Sequence, residues 1–404
     1  MNIFIRAAIM LPVLLVLSAC ESAVNFSGFS AGYDKAMEKS ANENMFINII
    51  RSAYKKPTHF ASIAGVSGTS SLTSPSAFLS LPFDQIFSLS RNGAAGSFSS
   101  SSFNQTSTVS ISPLNTAEFL SGLLMQISPS TIQFYTSQGV PRELLFLLLV
   151  DKIVVTANGT TSNLVNDPTD KGYGEFNEMM QSLIKMGLTT ETVAGLAPSG
   201  PILTESQAKD PARISLVLNS GMVLNPVQGS NEQKFQMFAP FNYSRFCFLQ
   251  SSKEANTLPK TMLCASDGSR QQSSSLTLGT GVNQLKKYKN ASLKIVTRST
   301  KSMFDYLGKL AYQQVEKGQK TPVTLVTEES RKYNYRGTGD ALFVVTKNKT
   351  SGSDIVSVNM DGDSFSIPQK NQGFSSYVLS IAMDILNLSK TVNSLPPANT
   401  VITK

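Results

Sequence analysis

The chain has 404 residues, with 35 Lys and Arg against 27 Asp and Glu, so its formal net charge is +8. No dense Lys/Arg cluster interleaved with aromatic residues occurs, which argues against a nucleic-acid partner. The mild basic excess fits either an ordinary soluble surface or attraction to anionic lipid headgroups or polysaccharide.

The first 19 residues predict a secretory signal peptide. Arg6 precedes an apolar segment at 7–17, and small residues precede Cys20, which is the layout of such a signal. The segment is shorter than the roughly 20 residues that a membrane-spanning helix needs. The apolar run at 144–150 is also interrupted, by Asp151. We therefore expect no transmembrane helix in the mature chain.

The sequence Leu17-Ser18-Ala19-Cys20 resembles the lipobox of bacterial lipoproteins. The resemblance implies that the Cys20 thiol receives a diacylglycerol, that cleavage makes Cys20 the first mature residue, and that a fatty acid such as palmitate acylates its amine. Glu21 in place of aspartate implies transfer to the outer membrane, facing the periplasm or the outside. Two or more acyl chains anchor a protein stably. An ordinary signal peptide with an incidental cysteine is the alternative.

Residues 20–32 are small and polar and predict a tether between lipid and fold. A helix follows up to Pro57, because apolar residues recur at the helical period. These residues are Met37, Ala41, Met45, Ile49 and Ala53. Residues 42–51, with Pro57 and Phe60, resemble the opening of uncharacterised proteobacterial outer-membrane lipoproteins, a resemblance that implies no known activity.

Residues 66–112 are dense in Ser and Thr, a composition typical of a flexible linker. Apolar and polar residues nevertheless alternate at 83–90 and 106–111, and Asn92-Gly93 is a strong turn signal. We therefore predict a polar β-hairpin at about 81–112.

The remaining pattern predicts helices, then strands, then a mixture of both. Predicted helices cover 115–126, capped by Asn115, and then 128–138, a buried segment from Pro141, 175–186, 301–317 and 375–393. Predicted strands cover 213–218, 234–238, 243–249, 261–265, 292–298, 323–327, 341–346, 355–360 and 364–367.

These elements predict an α+β fold with a helical N-terminal half, a β-rich middle and a C-terminal sheet with two helices. The predicted divisions are 1–19 (signal peptide), 20–32 (lipidated tether), 33–190 (mainly helical, with the hairpin), 191–290 (β-rich, with a disulfide), 291–396 (α+β) and 397–404 (tail).

With Cys20 assigned to lipid, Cys247 and Cys264 remain, and an even count in an oxidising compartment predicts a disulfide. Two buried free thiols are the alternative. A metal site is less favoured, because no His lies near the two cysteines.

The sequence motifs provide little catalytic chemistry. His59 is the only histidine, and its neighbours Pro57 and Phe60 favour a structural role. Ser182 and Lys185 have the S-x-x-K spacing of penicillin-recognising enzymes, but the Ser-Asp-Asn and Lys-Thr-Gly triplets of those enzymes are absent. Asp361-Gly362-Asp363 lacks the sixth-position Gly and twelfth-position acid of a calcium loop and is predicted to form a hairpin turn. Gly337-Thr338-Gly339-Asp340 lacks the Lys and following helix of a phosphate loop.

We therefore predict a non-enzymatic, lipid-anchored outer-membrane protein with a structural or assembly role, without catalytic or metal-binding residues or a cofactor. Its partners would be membrane lipid through Cys20 and either further copies of itself or a larger envelope complex. One alternative is an oligomeric pore or export channel that uses the 81–112 hairpin. Another is a ligand- or glycan-binding lipoprotein.

Overall fold

The computed structural model describes residues 26–70, 105–114, 116–157, 159–227, 233–250, 258, 260–264, 276–277, 291–333, 339–349, 353–390 and 399–402. This part of the chain is an α+β fold, as predicted. Its helices are α1 (Phe26–Ala53), α2 (Ala117–Leu124), α3 (Pro129–Ser137), α4 (Arg142–Leu149), α5 (Tyr173–Lys185), α6 (Glu205–Ala208), α7 (Pro211–Asn219), α8 (Thr300–Val315), α9 (Glu328–Tyr333) and α10 (Ser375–Leu388), with a 3-10 turn at Lys260–Met262. Its strands are β1 (Ala61–Ser70), β2 (Gln105–Pro113), β3 (Val150–Ala157), β4 (Thr160–Val165), β5 (Leu188–Thr204), β6 (Val223–Pro226), β7 (Lys234–Phe248), β8 (Leu276–Thr277), β9 (Ser292–Thr297), β10 (Thr346–Lys347), β11 (Asp354–Met360), β12 (Asp363–Pro368) and β13 (Asn399–Ile402).

The described strands form four antiparallel sheets. One sheet has the order β4-β3-β9-β8, and a second has the order β5-β7-β6. Two further three-stranded sheets have the orders β1-β2-β13 and β10-β12-β11. Strand β3 pairs with β4 on one edge and β9 on the other. The β3–β4 hairpin is thus joined to a strand that comes much later in the sequence.

The core surrounds α4 and β3. Residues 144–150 are fully buried, as expected for a helix that is apolar all round. Helix α8 packs closely on α1 because Gly308 has no side chain: a Cβ there would lie 2.7 Å from the backbone N of Ala53. None of the helices in the described ranges combines the length and apolarity that a bilayer span requires.

The buried carboxylate of Glu143 attaches the segment before α9 to α4. It accepts hydrogen bonds from the backbone N–H groups of Val326 and Thr327, both at 2.9 Å. The Thr327 hydroxyl donates to it at 2.7 Å and the Ser330 hydroxyl at 2.8 Å, and Gln181 Nε2 donates at 2.6 Å. A buried carboxylate is tolerated when its oxygens are fully hydrogen-bonded, so this cluster fixes residues 323–333 on the core.

Several predicted helices are confirmed with changed ends. Helix α1 begins at Phe26, inside the predicted tether 20–32. Thr116 rather than Asn115 caps α2, because the Thr116 hydroxyl accepts the N–H of Phe119 at 3.2 Å. Helix α3 begins as predicted, with Ser128 as its N-cap and Pro129 in its first turn.

The strand pairing predicted for the Ser-rich hairpin is wrong over β2. Strand β2 pairs with β1 along one edge and with β13 along the other. The partners of β2 are therefore β1 and β13. Residues 81–104 and the Asn92-Gly93 turn lie outside the described residues.

The β-rich middle was only partly predicted. Residues 213–218 are in helix α7, not a strand: Pro211 opens the helix and the Asp210 carboxylate accepts the N–H of Ala212 at 3.0 Å. The two strands predicted at 234–238 and 243–249 are one strand, β7. Strand β7 continues through Pro240. Strand β6 pairs with β7 only from Phe235 to Phe238, so Pro240 lies beyond that ladder and need not donate to it.

Other strand predictions were corrected by the structure. Residues 261–265 were predicted as a strand, but a 3-10 turn covers 260–262 and Leu263 forms a single bridge to Phe248. Residues 323–327 are not a strand, and the strand predicted at 341–346 is reduced to β10. Two contacts hold these segments in place of a strand ladder. The Glu143 carboxylate binds the backbone of Val326 and Thr327, and one bridge joins Thr324 to Ala341.

The predicted turn at Asp361-Gly362 is confirmed. Met360 pairs with Asp363, so the two residues between them form the loop. Asp361 and Gly362 have φ of 56° and 91°, the left-handed backbone that a two-residue hairpin turn requires.

Cys247 and Cys264 form a disulfide, with an S–S distance of 2.10 Å and a Cα–Cα distance of 5.0 Å. The bond links the end of β7 to the short turn at 260–262. Because Arg245 Nη2 also donates to the Leu263 carbonyl at 3.0 Å, the covalent bond and the hydrogen bond hold the same loop.

Replacing both cysteines by Ala is expected to lower the free energy of unfolding by about 3 kcal/mol, because the bond closes a 17-residue loop in the unfolded chain. Urea unfolding of the double variant and of the oxidised wild type measures this difference, with reduced wild type as the control. Equal unfolding free energies in all three samples would contradict it.

Candidate functional site

A polar cavity of about 460 Å³ lies where α1, α8 and the residues after β4 meet. Helix α1 contributes Ser52 to its wall and Lys55 and Lys56 follow at the helix end, while α8 contributes residues from Lys301 to Lys309. Asn166 and Asp167, Asp151 and Arg298 complete the polar lining. The cavity is therefore built from four parts of the chain, namely 52–56, Asp151, 165–167 and 298–309.

Arg298 forms the floor of this cavity and is almost completely buried. Its Nη1 donates to the carbonyls of Leu147 at 3.4 Å, Leu148 at 3.0 Å and Val150 at 2.6 Å, and its Nη2 donates to the Asn166 carbonyl at 2.5 Å. Its guanidinium carbon lies 3.7 Å from the ring centroid of Tyr306, a cation–π contact. Burial lowers the pKa of Arg298, but an arginine stays protonated in proteins, so the cavity floor carries a positive charge.

Two buried polar atoms beside Arg298 have no hydrogen-bond partner among the described residues: Oδ1 of Asn166 and the hydroxyl of Tyr306. The Asn166 amide has a defined orientation, because its Nδ2 donates to the carbonyls of Leu147 at 2.9 Å and Val150 at 2.8 Å. Its Oδ1 is thus an unpaired acceptor that is itself buried. Burial raises the pKa of Tyr306, so its hydroxyl keeps a proton to donate.

Two ion pairs also line the cavity. Lys309 contacts Asp167 at 2.5 Å, and Lys301 contacts Asp305 at 2.5 Å. Burial alone would raise the pKa of Asp167, but hydrogen bonds from Lys309 and Thr169 outweigh it and lower that pKa. Within the described part of the chain the lining includes five cationic and three acidic side chains. Lys56 is also paired with Asp361 outside the lining, so the excess of positive charge is small.

A second feature is an arm formed by β5, α6, α7, β6 and β7. Its base is fixed to the core by the buried pair of Glu191 and Arg245, whose Oε1 and Nη2 lie 2.6 Å apart. The Thr192 hydroxyl donates to Gln133 of α3 at 2.7 Å. From Ala194 to Gly200, β5 residues alternate between exposed and half-buried, as in a sheet with one face open to solvent.

The arm has an apolar face that carries three exposed aliphatic side chains. Paired residues of an antiparallel sheet point to the same face, and Leu196 pairs with Pro240, Ile202 with Gln236 and Val223 with Phe238. Gln236, Phe238 and Pro240 alternate along β7, so all these residues share one face. Leu196, Ile202 and Val223 are 44%, 55% and 41% exposed.

The opposite face of the arm is covered by its own helices. Helices α6 and α7 contact β5, β6 and β7 there, and Leu203, Ala208 and Val217 are buried in that layer. The apolar face is therefore covered by α3 near Thr192 and is exposed at Leu196, Ile202 and Val223. Such an open apolar face is typical of an interaction surface.

The residues singled out in the sequence are not brought together. Cys20 and residues 334–338 lie outside the described residues. The His59 side chain is exposed, and its backbone N–H and C=O bond the Asn48 amide. Ser182 donates to the Glu178 carbonyl at 2.9 Å, as a structural helix serine does. Cys247 and Cys264 lie near Glu191, but both sulfurs are bonded to each other.

Sequence reasoning missed both features described here. Arg298, Asn166 and Tyr306 are separated by long stretches of chain and form no local motif. The arm was missed because β5 contains Pro198, Gly200 and Pro201, which are typical of a turn. A strand tolerates them at an outer edge with a register shift, which occurs between Ser199 and Ile202.

Comparisons of this chain with known protein families, with curated proteins and with solved structures found no match.

Proposed function

We propose that this protein is a lipid-anchored, non-enzymatic assembly component of the bacterial outer membrane that associates with further copies of itself through the apolar face of the arm. The observation that carries the proposal is the alignment of Leu196, Ile202 and Val223 on one open face. Burial of apolar surface is the main favourable term in protein association. A second copy offers the same face, and a two-fold axis lets each copy cover the other.

The geometry of the arm supports association through a face rather than through a strand edge. Strand β5 lies at the edge of its sheet and contains Pro198 and Pro201, which cannot donate to an added strand. The short β6 provides only four residues on the other edge. The ion pair of Glu191 and Arg245 holds the base of the arm, so little additional ordering is needed on binding.

The lipobox resemblance at Leu17-Ser18-Ala19-Cys20 supports the membrane location. Anchoring confines the copies to one surface and raises their effective concentration, so a modest apolar contact is enough for assembly. The alternative of a pore built from 81–112 depends mostly on residues outside the described part of the chain and stays a prediction.

The triple variant Leu196→Ser, Ile202→Thr, Val223→Thr is expected to convert an oligomer into a monomer, because it removes the apolar side chains that a second copy would cover. Native mass spectrometry of the detergent-extracted full chain measures this. Leu388→Ser is the matched control, since Leu388 is 71% exposed and lies outside the arm. It should leave the mass unchanged.

Two results would refute self-association through the arm: a monomeric wild type, or a triple variant with the same oligomeric mass as wild type. If the wild-type complex contains one copy of this chain together with other proteins, self-association is refuted and the apolar face binds another envelope protein. An intact disulfide and a circular dichroism spectrum equal to that of wild type establish that the triple variant is folded.

The N-terminal peptide of the mature protein is expected to begin at Cys20 and to carry a diacylglycerol and an amide-linked acyl chain. Mass spectrometry of the delipidated and untreated peptides measures these groups, and Cys20→Ser should release the protein from the membrane fraction. An unmodified N-terminus elsewhere, with protein in the soluble periplasmic fraction, would rule out the anchor.

A further inference from the structure

We propose that the surface formed by α2, α3 and the end of α10 lies against the lipid bilayer to which the protein is anchored. This region, the uncharged surface, is defined by five exposed apolar side chains: Leu120, Leu124, Met125, Phe134 and Leu388. The proposal rests on the lipid anchor of the proposed function. It concerns a part of the molecule that shares no residue with the apolar face of the arm.

The three elements of the uncharged surface adjoin one another. The Tyr135 hydroxyl of α3 donates to the Asp384 carboxylate of α10 at 3.0 Å. At the end of α10, Ser389 packs on α2, because a Cβ on Gly122 would lie 2.7 Å from the Ser389 carbonyl oxygen. Leu388 is one helical turn beyond Asp384 and directly precedes Ser389. The last turn of α10 therefore contacts both α2 and α3, and Leu388 belongs to that junction.

Helix α2 has apolar side chains on its outer side as well as on its buried side. Phe119 and Leu123 are buried, whereas Leu120 and Leu124 are 47% and 66% exposed and lie one turn apart on another side of the helix. Glu118 lies about 160° from Leu120 around the helix. A surface helix normally has polar residues on its outer side, so the exposed leucines of α2 indicate a surface that contacts an apolar partner.

The absence of charge favours a bilayer as that partner. Residues 119–141 contain no Asp, Glu, Lys, Arg or His, although the average charged fraction of the chain, 15%, predicts about three in these 23 residues. Charged side chains are costly to transfer into the apolar part of a bilayer. Leu, Met and Phe can enter the boundary between headgroups and acyl chains, and here no charge from α2 or α3 beyond Glu118 has to be desolvated with them.

The cation beside the uncharged surface also suits a bilayer. Lys390 directly follows Ser389, its Nζ donates to Asn387 Oδ1 at 2.8 Å, and it forms no ion pair within the described ranges. Anionic phospholipid headgroups attract such a lysine. The anchor proposed at Cys20 holds the domain close to lipid and raises the effective concentration of the bilayer at this surface, so a small apolar contact is enough.

Nitroxide spin labels on the lipidated full chain test the proposal. Acylation of Cys20 and the disulfide between Cys247 and Cys264 leave an introduced cysteine as the labelling site. In vesicles of phosphatidylethanolamine and phosphatidylglycerol, labels at Leu124→Cys and Phe134→Cys should be accessible to oxygen and lose accessibility to a water-soluble nickel chelate, because oxygen concentrates in the bilayer and the chelate is excluded. Power-saturation EPR measures both accessibilities.

Lys370→Cys is the matched control label. Lys370 is exposed and precedes the start of α10, whose 14 residues separate it from Leu388 by about 20 Å. Its label should stay accessible to the nickel chelate in the same vesicles.

A pair of substitutions tests whether the apolar side chains make the contact. Leu120→Gln with Leu388→Gln should return the label at Leu124→Cys to the nickel accessibility of the control label. Both leucines are exposed and Gln has a helix propensity close to that of Leu, so an unchanged circular dichroism spectrum is expected. Ile214→Gln, at an exposed residue of α7 outside the uncharged surface, should leave the accessibility of the label unchanged.

Three outcomes would overturn the proposal, and they separate it from the anchor. If the protein floats with the vesicles but both labels stay accessible to the nickel chelate, the anchor stands and the bilayer contact is refuted. If both labels are shielded from oxygen and from the chelate, protein covers the surface, either another segment of this chain or a second copy. If the protein does not float with the vesicles, the anchor fails and the bilayer contact fails with it.

Discussion

The fold depends on the way in which Arg298 satisfies the end of helix α4. The last carbonyls of a helix have no partner within it, and α4 ends inside the core. Leu149 accepts the backbone N–H of Arg298 at 2.7 Å, while the guanidinium donates to the carbonyls of Leu147, Leu148 and Val150. A cation at this position also interacts favourably with the helix dipole. The residue that directly follows β9 thus allows α4 to end without buried, unpaired carbonyls.

The same residue determines the neighbouring structure. Its Nη2 bonds the Asn166 carbonyl, which positions the residues after β4, and Tyr306 of α8 stacks on its guanidinium. A buried guanidinium requires hydrogen-bond acceptors around it, and these come from the end of α4, the start of β3 and the residue after β4, which lie beside Arg298 because β3, β4 and β9 share one sheet. The cavity is a consequence of this arrangement. The arm, in contrast, is held by its own pair of Glu191 and Arg245 and by the disulfide, so its apolar face can associate without disturbing the core.

The sequence predicted elements whose determinants are local. The caps of α3, the all-apolar helix α4 and the turn at Asp361-Gly362 follow from residues within one or two turns of each other. Segments fixed by distant partners were missed. Residues 323–327 were predicted as a strand from their composition, but the Glu143 carboxylate binds their backbone N–H groups instead. Residues 213–218 have apolar side chains that suit a strand, yet Pro211 and Asp210 start a helix there.

The candidate sites could not be predicted for the same reason. Arg298 is the last residue of the strand predicted at 292–298, and the alternation in that stretch gives no sign that its side chain is buried. Asn166 follows β4 in a turn-like sequence, where an asparagine is unremarkable. The apolar face of the arm becomes visible only from the pairing of β5 with β7 and β6, because Leu196, Ile202 and Val223 show no common period in the sequence. The disulfide was predicted because compartment and cysteine parity are properties of the whole chain.

Urea unfolding of Arg298→Met tests most directly whether this residue organises the fold. Its removal leaves several buried carbonyls with fewer or no donors, so the free energy of unfolding should fall by about 3 kcal/mol or more. Arg213→Met, which removes an exposed arginine of α7, should cost no more than about 1 kcal/mol. An Arg298→Met protein as stable as Arg213→Met would contradict the central role of Arg298.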